Sequence, residues 1–149
     1  MAEMSRFEFA TAARIIFGEG AFREIAPIAS SLGRRALIVA GVEGEILSSL
    51  IEQLRGQGMA GYPLAVAGEP SVETINGGLR YLKVMSCDVV IGLGGGSAID
   101  TGKALAVLAT NPGEVLDYLE VIGKGKELKE PGLPFIAVPT TAGTGAERS

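Results

Sequence analysis

Apolar residues along this chain fall in turn into short unbroken runs and into helical spacing, and that alternation predicts a layered α/β fold. Ala36-Leu37-Ile38-Val39-Ala40, the run from Asp88 to Ile91, and Phe135-Ile136-Ala137-Val138 are stretches suited to buried parallel strands. Tyr62-Pro63-Leu64-Ala65-Val66 reads as a further strand, and Pro63, with no N–H to donate, assigns it to a sheet edge. Phe22, Ile25, Ile28 and Leu32 recur at helical spacing across residues 21–32, closed by Gly33. Pro27 requires this helix to bend or to start late. Ile46, Leu47, Leu50, Ile51 and Leu54 share one side of a helix from Glu45 to Gln57. Ser71 is suited to cap another reaching about Met85, and a fourth runs from Ser97 to Ala109, ended by Asn111-Pro112-Gly113. A shorter helix is predicted from Glu114 to Val121, then a loop from Lys124 to Pro134. Phe7-Glu8-Phe9 and Arg14-Ile15-Ile16-Phe17 predict an N-terminal β-hairpin at the sheet edge. The sum is a doubly wound, mostly parallel sheet, with the loops after residues 40, 67, 92 and 138 on one rim.

Four glycines within five residues follow the second of these strands: Gly92-Leu93-Gly94-Gly95-Gly96, then Ser97 and a helical pattern. The first N–H groups of a helix lack internal partners, and the macrodipole favours negative charge beside them. Glycine removes the Cβ atoms that would hold a phosphate away. The run matches neither standard phosphate loop. A dinucleotide fingerprint laid from Gly92 needs glycine where Ser97 stands, and a Walker A loop ending at Gly102-Lys103 needs a hydroxyl where Ala104 stands. Close strand–helix packing is the plainer explanation of such a turn, but three consecutive glycines carry an entropic cost that favours a ligand. Pro139-Thr140-Thr141-Ala142-Gly143-Thr144-Gly145 follows another strand with three hydroxyls and two glycines on the same predicted rim.

Composition narrows the chemistry. The chain has 149 residues and a net charge of −4, with no basic stripe, so nucleic acid is not an expected partner. No apolar run approaches a membrane span and no secretory signal is visible, which with the single Cys87 predicts a cytoplasmic protein. Histidine is absent, removing the commonest general base and metal ligand, and no dense carboxylate cluster replaces it. No catalytic residue and no metal ligand is therefore assigned.

Gly94-Gly95-Gly96-Ser97-Ala98-Ile99-Asp100-Thr101-Gly102-Lys103, followed some forty residues later by Pro139-Thr140-Thr141-Ala142-Gly143-Thr144-Gly145-Ala146-Glu147, resembles the iron-containing (group III) alcohol dehydrogenase family. Ile16-Phe17-Gly18-Glu19-Gly20 resembles that family's N-terminal strand and turn. The resemblance implies that residues 1–149 form the Rossmann-like dinucleotide-binding domain of a two-domain dehydrogenase. It implies Gly95, Gly96 and Ser97, with Gly94, at the pyrophosphate of NAD or NADP. Asp100 is implied near the nicotinamide end, and Thr140, Thr141 and Thr144 complete the cleft. Lys103 reads as structural or surface.

Two departures stand out. Many family members carry an acidic residue just after the first Rossmann strand; here Gly41 occupies that place, with Glu43 two residues on. Without a carboxylate at the ribose, the barrier to a 2′-phosphate falls, so NAD and NADP both remain open. The family's metal, Fe or Zn, is expected only in the complete enzyme, bound by Asp and His of a helical domain that this chain lacks. Glu147-Arg148-Ser149 also leave the family pattern after Glu147, which implies a fragment or a truncated product. The expected activity is hydride transfer between the cofactor and a small alcohol or aldehyde, with the 149 residues alone inactive. The alternatives are a nucleotide-binding or assembly module without turnover, or the same domain from a glycerol dehydrogenase, maleylacetate reductase or dehydroquinate synthase relative. Exposure of the second domain's packing surface and an open sheet edge predict a homodimer.

Overall fold

The computed structural model describes residues 13–15, 20–111 and 131–140. Five strands form one sheet: β1 (Ala13–Ile15), β2 (Arg35–Ala40), β3 (Ala60–Ala65), β4 (Val89–Gly94) and β5 (Phe135–Pro139). Their spatial order is β1-β5-β4-β2-β3, and every neighbouring pair is parallel. Four helices connect or flank them: α1 (Ile25–Leu32), α2 (Glu45–Gly56), α3 (Val72–Val84) and α4 (Gly96–Leu108). The predicted hairpin has one arm, Phe7–Phe9, outside the described residues. Of its other arm, Arg14 and Ile15 lie in β1, an edge strand whose partner among the described residues is β5, and Ile16 and Phe17 also lie outside the described residues. The helix predicted from Glu114 to Val121 also lies outside them.

Apolar burial on both faces explains the all-parallel sheet. Ile38, Ile91 and Ile136 point into a core closed by α1 and α2, while Leu37, Val90 and Phe135 point into one closed by α3 and α4. Leu105, fully buried on α4, contributes to the second core at the scale of about 2 kcal/mol. α4 lies close on the sheet because it presents Gly102 there: a Cβ at Gly102 would stand 2.7 Å from the Phe135 ring, and one at Gly92 would stand 3.1 Å from it.

The two prolines act as their chemistry predicts. The chain begins its first helical segment as a 3₁₀ turn, Ala21–Glu24, and the α-helix starts only at Ile25. Pro27 thereby falls in the first turn of α1, where an N–H would have no helical acceptor. On β3, Ala60 N donates to Arg34 O (3.3 Å) and Val66 N to Ala40 O (3.0 Å), so even-numbered residues face β2. Pro63 faces outward with the odd-numbered residues, and its missing N–H interrupts the open edge without cost to the ladder.

At the amino ends of the strands, the Asp88 carboxylate ties two connections together. It accepts from Arg34 N (2.9 and 3.1 Å) and Arg35 N (2.9 Å). Arg35 Nε in turn donates to Met85 O (2.6 Å), and its guanidinium lies 5.1 Å from the Tyr62 ring centroid. Beside this knot, burial pushes the Cys87 thiol up to about 11, which keeps it protonated and unreactive at neutral pH.

Adjacent glycines on α3 give a direct test of the packing. A Cβ at Gly78 would lie 2.8 Å from Leu105 Cδ1, whereas one at Gly77 meets nothing within 4 Å. Gly78→Ala is expected to destabilise by about 1–3 kcal/mol, and Gly77→Ala to stabilise by about 0.5–1 kcal/mol. Urea denaturation of the two variants beside the parent reads both signs.

Candidate functional site

The sheet reverses direction between β2 and β4. From β2 the chain moves outward to β3, then crosses back to β4 and onward to β5. Ligands on open α/β sheets bind in the crevice that such a reversal leaves at the carboxyl ends of the strands. Here the crevice is bordered by Gly41 after β2 and by Gly94-Gly95-Gly96 between β4 and α4.

Hydrogen bonds hold this rim in register. Gly41 N donates to Leu93 O (2.8 Å) and Thr140 N to Gly94 O (2.9 Å), which ties the ends of β2 and β5 to both sides of β4. Gly94 is buried and has φ 142°, a conformation that L side chains rarely adopt. A Cβ there would sit 3.1 Å from both Cα and N of Gly41 and 3.3 Å from Ala98 Cβ. Gly94 is thus a structural necessity of the crossing.

Gly95 and Gly96 have the opposite character. Both are exposed, and a Cβ on either would meet nothing within 4 Å. Packing does not require them, and their bare backbone opens the start of α4 to a ligand. Gly95 is the N-cap and supplies no side-chain cap; the first helical bond at this end runs from Ile99 N to Gly95 O (3.1 Å). The N–H groups of Gly96, Ser97 and Ala98 have no hydrogen-bond partner among the described residues, and they point with the positive end of the helix dipole toward the crevice. α3 shows the contrast: Ser71 Oγ accepts from Thr74 N (3.0 Å) and closes that N-terminus.

The residues singled out from the sequence separate accordingly. Gly41, Gly94, Gly95, Gly96, Ser97 and Thr140 come together on one rim. Thr141 and Thr144 lie outside the described residues. Asp100 is exposed on α4, and helical spacing places it on the side opposite Ala98, the residue that faces Gly41. Gly41 itself has a role that the sequence reading missed, since it is as much a backbone neighbour of Gly94 as a position lacking a carboxylate. Thr101 was also passed over. It is fully buried on α4, although its three-residue spacing from Ala98 marks the stripe it shares. Among the described residues, no three His, Cys, Asp or Glu side chains converge to hold a metal ion, and no helix is long and apolar enough to cross a membrane.

The two kinds of glycine predict different responses. Gly94→Ala is expected to cost about 1–3 kcal/mol of stability through its positive φ and its contact with Gly41. Gly95→Ala is expected to stay within about 0.5 kcal/mol of the parent. Denaturant titration of both variants checks the distinction.

The family model for iron-containing alcohol dehydrogenase matches residues 12–149. Long-chain-alcohol dehydrogenase 1 of Geobacillus thermodenitrificans is 37% identical over 146 residues, covering 91% of this chain and 37% of the relative. Alcohol dehydrogenase 4 of Saccharomyces cerevisiae is 39% identical over 139 residues, covering 88% of this chain and 35% of the relative. Among solved structures, sulfoacetaldehyde reductase from Bifidobacterium kashiwanohense in complex with NAD+ superposes with a TM-score of 0.70 at 31% identity, covering 91% of this chain and 36% of that one. A 1,3-propanediol oxidoreductase gives 0.75 at 28% identity, covering 90% and 35%. The chain therefore spans little more than a third of these relatives' length, and over that span it belongs to the iron-containing alcohol dehydrogenase family.

Proposed function

We propose that this chain is the nicotinamide-dinucleotide-binding part of a metal-dependent alcohol dehydrogenase. The observation that carries the reading is the uncapped, glycine-lined start of α4 at the crevice between β2 and β4. The N–H groups of Gly96, Ser97 and Ala98 would receive the pyrophosphate of NAD or NADP, where open space at Gly95 and Gly96 allows close approach. The cofactor supplies hydride chemistry to a small alcohol or aldehyde. This chain's residues bind it, orient it and exclude side chains from its path. Thr140, tied to Gly94, would border the cleft, with Thr141 and Thr144 completing it and Asp100 standing toward the nicotinamide end. The family relationship and the relative solved with NAD+ support the same ligand class.

Among the described residues no three His, Cys, Asp or Glu side chains converge to fit a catalytic metal, so Fe or Zn and the substrate pocket would belong to the part of the family's length that this chain does not span. The lack of histidine supports a second reading for the chain taken alone: a cofactor-binding module without turnover. A cytoplasmic setting and association as a homodimer belong to the same proposal, and light scattering that finds only monomer would remove the latter. Cofactor choice turns on the rim after β2. Gly41 offers no carboxylate to a ribose, which admits the 2′-phosphate of NADP, while exposed Glu43 and Glu45 follow it.

Titration with NADH and with NADPH, read by nicotinamide fluorescence, is expected to show saturable binding. Gly96→Val should weaken that binding at least tenfold, equivalent to about 1.4 kcal/mol, with no change in melting temperature. No binding of either cofactor at millimolar concentration would remove the proposal.

A further inference from the structure

Thr101 Oγ1 is the buried side-chain oxygen that stands without a hydrogen-bond partner among the described residues. The residue is 0% exposed, so water does not reach it from outside. A threonine within a helix ordinarily turns its hydroxyl onto the carbonyl three or four residues back. Thr101 makes no such bond.

Its position points to the crevice. Thr101 lies one turn beyond Ala98, whose Cβ would be 3.2 Å from a Cβ at Gly41 and 3.3 Å from one at Gly94. It lies one turn before Leu105, whose methyl groups press on Gly78 of α3. Thr101 is therefore on the stripe of α4 that runs from the crevice down to α3, on the side of a core that includes Ile75 and against which Val66 and Val72 pack. Valine has nearly the same shape and would fill this apolar stripe without an unpaired oxygen. A buried hydroxyl lacking a partner opposes folding, so packing among the described residues does not account for threonine here.

We propose that Thr101 is a positioning residue of the cofactor cleft, whose hydroxyl gains its hydrogen bond when the cleft is loaded and α4 settles against the loops after β2 and β3. The inference rests on the nucleotide reading given above. Cofactor binding then supplies a hydrogen bond that the described residues leave unmade, and α4 transmits the loading of its N-terminus inward.

The test compares the parent with Thr101→Val and Thr101→Ser by melting temperature without cofactor and by NADH and NADPH dissociation constants from fluorescence. Thr101→Val is expected to melt a few degrees higher than the parent when free, yet to bind roughly three- to tenfold more weakly. Thr101→Ser is expected to keep the parent's affinity. A valine variant that binds as tightly as the parent, or that melts lower when free, would overturn the proposal. Equal loss of affinity in the serine variant would also overturn it, by assigning the effect to the methyl group. A parent chain that binds neither cofactor would instead overturn the nucleotide reading, and this inference with it.

Discussion

The backbone of Gly41 lies against that of Gly94 where the sheet reverses, and the candidate site follows from that contact. Two parallel strands can diverge at their ends only if the connections leave on opposite faces. Here β2 departs toward α2 and β4 toward α4. With the Gly41–Leu93 hydrogen bond at 2.8 Å holding the strand ends together, no side chain fits between them. Gly94 meets the requirement with φ 142° and no Cβ. That single conformation turns the chain into α4, so that its free N–H groups face the crevice between the two connections.

Support for the crossing comes from both ends of the sheet. At the carboxyl ends, Val66, Gly41 and Thr140 each donate a backbone N–H across to the neighbouring strand, so four strand ends share one hydrogen-bonded rim. At the amino ends, the Asp88 carboxylate takes three backbone hydrogen bonds from Arg34 and Arg35 and fixes where β2 begins relative to β4. Charge-assisted bonds of this kind are among the stronger ones a protein makes. Register set at one end of parallel strands is carried to the other, because side chains alternate faces and a slip of one residue would turn Ile38 or Ile91 out of its own core and into the differently shaped one on the opposite face. Below the rim, Gly92 and Gly102 let α4 approach β4 closely, so the cradle rests on a rigid base.

Much of this was legible in the residues. The unbroken apolar runs mark β2, β4 and β5 because parallel strands buried on both faces need no polar alternation. Pro63 marked an edge and Pro27 a late helix start, since each lacks an N–H and tolerates only positions where none is required. Other features were not legible. β4 extends to Gly94, three residues beyond the apolar run, because glycine has no preference of its own and adopts the extended form when Gly41 and Thr140 bond to either side. The exposure of Asp100 on α4 was not legible either, since helix rotation is fixed by Ala98 and Gly102 packing inward.

By itself the sequence determined the fold class, the glycine-lined start of α4 and the lack of any histidine, because each depends on residue type and spacing within a short window. Only the tertiary structure decided the strand order, and hence where the crevice lies. It also separated the glycines: Gly94 is demanded by a backbone contact, while Gly95 and Gly96 stand open beside it. The same holds for Thr101, whose hydroxyl has the chemistry of any threonine until packing buries it without a partner. The physical reason is common to all three: they are properties of distances between residues far apart in the chain, and long-range packing alone sets those distances.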